Sequence, residues 1–90
     1  MRDPYQAILA ELMDERKQMD VKLDQAVATF ALVEEEMNAR MKVASPERLQ
    51  ELMQERAQIE DQLGIVDLVE RIDALRERIA QIKMEMTSAA

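Results

Sequence analysis

Apolar residues recur along the first half of the chain in alternating steps of four and three: Tyr5, Leu9, Leu12, Met19, Leu23, Ala26, Phe30, Val33, Met37 and Ala44. Arg16 and Arg40 stand in the two slots that this rhythm leaves open. Such a seam follows one face of an α-helix and suits helices that pack lengthwise. The second half repeats it with Leu49, Leu52, Ile59, Leu63 and Val66, and here Arg56 fills the open slot. After Gly64 the seam restarts two residues out of frame as Ile65, Leu68, Ile72, Leu75, Ile79, Ile82 and Met86. Ile and Val fall at helical spacing and not in alternation, so no strand is predicted.

Local signals place the ends of these helices. Asp3-Pro4 reads as an N-cap followed by proline at the first helical position, and Ser45-Pro46-Glu47 repeats that signal near the middle of the chain. Arg40 and Lys42 are cations suited to the negative end of the first helix. No glycine marks that end, and Asn38 is an alternative stop. The expected architecture is all-α: a single helical hairpin domain over 1–90, a long antiparallel coiled coil that assembles into a four-helix bundle. Its helices should span about residues 4–43 and 46–86, with a turn at about 44–45.

Gly64 admits two readings. In the preferred one the second helix continues through it, and the glycine allows close approach to Ala26 and Ala28 at a cost of about 1 kcal/mol relative to alanine. In the other, Gly64 ends a helix and Asp67-Leu68-Val69-Glu70 opens a third through a box-like cap. The antiparallel register sets Arg56 against Glu34 and Arg16 against Asp73. It also opposes Glu11 to Arg78, Asp14 to Arg76, Lys22 to Asp67 and Lys42 to Glu47, and it sets Asp20 against Glu70 without complement.

The apolar stripe is wider than the seam, because Ile8, Met13, Val27, Leu32 and Met41 lie beside it. From Gln25 to Val33 the helix carries no charge on any side. That stretch predicts burial on several faces, more than one partner helix supplies. The expected protein interface is therefore this waist and the residues facing it: Leu23, Val27, Phe30, Val33, Ile59, Leu63, Gly64 and Ile65. The expected partners are copies of the chain itself, as a homodimer or larger, together with a further protein of unknown identity.

Composition narrows the chemistry. Net charge is −7 with a pI near 4.6, which disfavours unspecific binding to nucleic acid or anionic lipid. Arg40, Lys42 and Arg48 gather at the turn with Glu47 among them. The alternative function is accordingly a small helical regulator touching nucleic acid through this basic tip, although no aromatic residue stands near it to stack on a base. There is no Cys and no His, so thiol nucleophiles, zinc spacings and Ser/His/Asp triads are absent. Acidic groups such as Glu11/Glu15 and Glu34/Glu35/Glu36 read as solvated faces. The eight Met residues read as adaptable packing, with Met13, Met41, Met53 and Met84 offering a pliable surface for a partner. No catalytic, cofactor-binding or metal-binding residue is nominated, and the expectation is a protein without enzymatic activity. The start of the chain lacks a signal-peptide core, and Gln25–Val33 is too short to cross a bilayer. A cytoplasmic protein is expected, with no membrane partner.

Overall fold

The computed structural model describes residues 3–88. Among them the chain is all-helical: α1 spans Pro4–Met41, α2 Pro46–Leu63 and α3 Ile65–Ser88. At the start of α1 the Tyr5 backbone N–H donates to Asp3 Oδ1 at 2.9 Å, meeting one of the amides that a helix start leaves unpaired. The helix runs through Asn38 and ends on a short turn, where Val43 N–H donates to the Arg40 carbonyl at 3.3 Å. Ser45 then caps α2. Its backbone is extended, its Oγ accepts from the Arg48 N–H at 3.3 Å, and Pro46 follows at the first helical position.

Gly64 ends α2; the continuous helix does not form. Its backbone is left-handed, φ 69 and ψ 26, and its N–H donates to the Asp61 carbonyl at 3.0 Å. This conformation closes a helix at little cost only in glycine, or less well in asparagine. The close-approach reading fails as well: a Cβ built on Gly64 meets nothing within 4 Å. The glycine is needed for its backbone angle, and the two-residue jump in the seam is the re-phasing that this break introduces.

The chain divides into two packed units. Among the described residues one holds 3–22 and 67–88, the other Leu23–Val66, and α1 contributes to both. In the first unit Met19, Ile72, Ile79 and Ile82 are buried; in the second, Met37 and Leu52. In the second unit α2 returns alongside α1, since Arg56 reaches Glu34 and lies over the Phe30 ring. That order and contact are those of a helical hairpin. The seam read from the sequence is the covered face throughout. Each of its apolar members is buried or half-buried except Val66, and of the arginines in its open slots only Arg40 is exposed.

Two stability outcomes follow from these placements. Gly64→Ala and Gly64→Leu should each cost about 1 kcal/mol and agree within about 0.5 kcal/mol, because backbone strain and not crowding sets the penalty. Urea denaturation followed by circular dichroism measures both. A leucine penalty several times that of alanine would show a tight contact at this position. Leu52→Ala, at a site 1% exposed, should cost about 2–4 kcal/mol in the same assay.

Candidate functional site

The residues expected to form the interface all fall within the second unit, and they divide by exposure. Leu23, Phe30, Val33, Ile59, Leu63, Gly64 and Ile65 are half-covered by the chain itself, on the seam or at the α2–α3 junction. Val27 points outward at 48% exposure. The uncharged waist is therefore not enclosed: Val27, Ala28, Ala31 and Leu32 remain exposed, Leu32 at 70%. One antiparallel neighbour covers a single stripe of a helix, and the rest of an all-apolar turn stays in water.

Arg56 is the most elaborated side chain of the unit. Its guanidinium pairs with the Glu34 carboxylate and stands 5.9 Å from the Phe30 ring centroid. Phe30 and Glu34 are one turn apart on α1, so both lie within reach of this one cation. Both charged side chains are about a third exposed, which limits the ion pair to the modest worth of a partly solvated one. The pairing is the one predicted from the antiparallel register. Among the described residues none of the other predicted cross-helix pairings is formed. Arg16 has Asp20 of its own helix as its nearest acid, at 3.9 Å, and its Nε is buried without a hydrogen bond. Arg78 donates instead to Gln81 of its own helix at 3.2 Å.

The tip is less basic than its composition suggests. Arg40 pairs with Glu36 at 2.7 Å, and Arg48 with Glu51 at 2.8 Å and Glu55 at 3.6 Å. The hydrogen bond that Arg48 donates to the Glu51 carboxylate holds its guanidinium above its ordinary pKa. These arginines are already engaged with carboxylates one or two turns away.

The remaining face of α2 carries Met53, the one residue of this face that the sequence marks as a pliable surface. Pro46, Leu49, Gln50, Met53, Gln54 and Ala57 line a shallow groove open to solvent, and none of them is charged. A second shallow groove, lined by Met53, Arg56, Ala57 and Glu60, continues from it. The signal was present in the sequence as a run of uncharged residues at spacings of three and four, but it was hidden among the charged residues between them. Among the described residues there is no group of three or more acidic side chains placed to hold a metal ion, and no helix long and apolar enough to cross a membrane. Comparison with protein-family models, with curated proteins and with solved structures gives no match.

The Arg56–Glu34 pair should contribute little to stability. A double-mutant cycle on Arg56→Ala and Glu34→Ala, read by urea denaturation, should return a coupling of about 0.5–1 kcal/mol that shrinks with added salt. A salt-insensitive coupling above about 2 kcal/mol would mean that the pair is far better shielded than its exposure indicates.

Proposed function

We propose that this chain is a non-enzymatic, self-associating helical hairpin of the coiled-coil kind that acts in the cytoplasm as an assembly factor, chaperone or adaptor. Two copies pair into a four-helix bundle, and the bundle presents its outer surface to a further protein. The observation that supports this reading is the amount of surface left uncovered. Val27, Leu32, Met53 and Val66 are each close to half exposed or more, and a monomer rarely leaves so many large apolar side chains together in water.

The alternative, a regulator contacting nucleic acid through the tip, gains nothing from the geometry, since Arg40 and Arg48 are committed to carboxylates. Purification from the native cell with and without nuclease separates the two readings. Stoichiometric nucleic acid supports the alternative; a protein that stays bound after nuclease supports the adaptor.

Sedimentation equilibrium should show a dimer or larger species, with a melting temperature that rises with protein concentration. A fully helical monomer whose melting is independent of concentration would overturn the proposal.

A further inference from the structure

Burial in the second unit is confined to the end nearest the turn. Met37 and Leu52 are its buried side chains. Over residues 23–33 and 59–66 none is buried, and each residue keeps part of its surface in water. The ion pairs stop at the same level: Arg40–Glu36, Arg48–Glu51 and Arg56–Glu34 all lie toward the turn. Among the described residues, no salt bridge forms within 23–33 or 59–66.

Helix propensity is low over the same stretch. Val27, Thr29 and Val33 are β-branched residues in the interior of α1, where they lose rotamer freedom. Thr29 Oγ1 donates to the Gln25 carbonyl at 2.9 Å, and a hydroxyl bonded back in this way bends and slightly destabilises its helix. On the returning side Gly64 interrupts the helix at φ 69, and a Cβ built on it meets nothing within 4 Å. The break is therefore held by its own backbone and not by packing.

We infer that this end of the second unit is a hinge. Residues 25–33 of α1 and residues 59–66 open and reclose together, while the turn end around Leu52 stays folded. Local opening follows least burial, and here burial, ion pairing and propensity are all least at one level of the chain. The usual order for a long helix is inverted: α1 is anchored by Met19 and Met37 and loosens between them. The inference goes beyond self-association and does not need it.

Hydrogen exchange followed by mass spectrometry on the full chain, in the most dilute sample that can be measured, reads the opening directly. After correction for intrinsic rates, amides in 25–33 and 59–66 should exchange at least about tenfold faster than those in 48–55. Equal or slower exchange at the waist would overturn the hinge. A second variant separates local from global opening without removing any buried side chain. Replacing Val27 and Thr29 together by alanine favours the helix, and should slow exchange at the waist at least about threefold while changing 48–55 by less than about 1.5-fold. Slowing shared equally by both segments, or absent at the waist, would overturn the inference. Sedimentation equilibrium on the same samples keeps the two readings apart. A single-copy chain with a fast waist overturns self-association and supports the hinge; a dimer with a protected waist does the reverse.

Discussion

Two helices in contact can hide only one stripe of each from water. Nearly everything in this structure follows from that constraint. The seam side chains are the covered ones, yet few are fully enclosed: in the second unit only Met37 and Leu52 are buried, and the other seam residues keep part of their surface in solvent. Burial contributes about 25 cal/mol per Å² of apolar surface removed from water, and half-covered side chains realise only part of it. The conformational entropy of long helices opposes that gain at every residue. A hairpin so built is short of burial, and this shortage is the physical ground for proposing that copies associate.

Of the three arginines that interrupt the seam, Arg56 is the one that pairs with the facing helix. Arg56 sits where an apolar residue would continue the stripe, but its aliphatic stem occupies the seam while the guanidinium reaches Phe30 and Glu34. Sliding α2 along α1 by one turn would separate this cation from both partners and leave an acid without its counter-charge. A single polar layer of this kind fixes register at some cost in stability. Gly64 acts differently. It ends α2 in a left-handed turn, and α3 starts at Ile65 as a separate helix.

The seam itself was legible in the sequence, because the alternation of four and three is a direct consequence of helical period. The Ser45-Pro46 cap and the Arg56–Glu34 pair were legible for related local reasons: a capping signal in one case, and register read from matched arms in the other. The break at Gly64 was in the sequence too, as a two-residue shift that a continuous coiled coil does not absorb, but the competing close-approach reading needed the surrounding space to be known. Arg16 shows the limit of pairing by register. An acid one turn away on its own helix, Asp20, lies nearer than the predicted Asp73. The width of the waist was read correctly as apolar, yet composition alone does not tell which of its sides one neighbouring helix covers.

Hydrogen exchange measured across a range of protein concentrations tests most directly whether the thin hairpin depends on a second copy. If it does, amide protection through Leu23–Val66 falls steadily as the protein is diluted by about a hundredfold around the dissociation constant, since dissociation then precedes opening. Protection that stays constant over that range, in a fully helical chain, would show that the hairpin is stable alone and would contradict self-association.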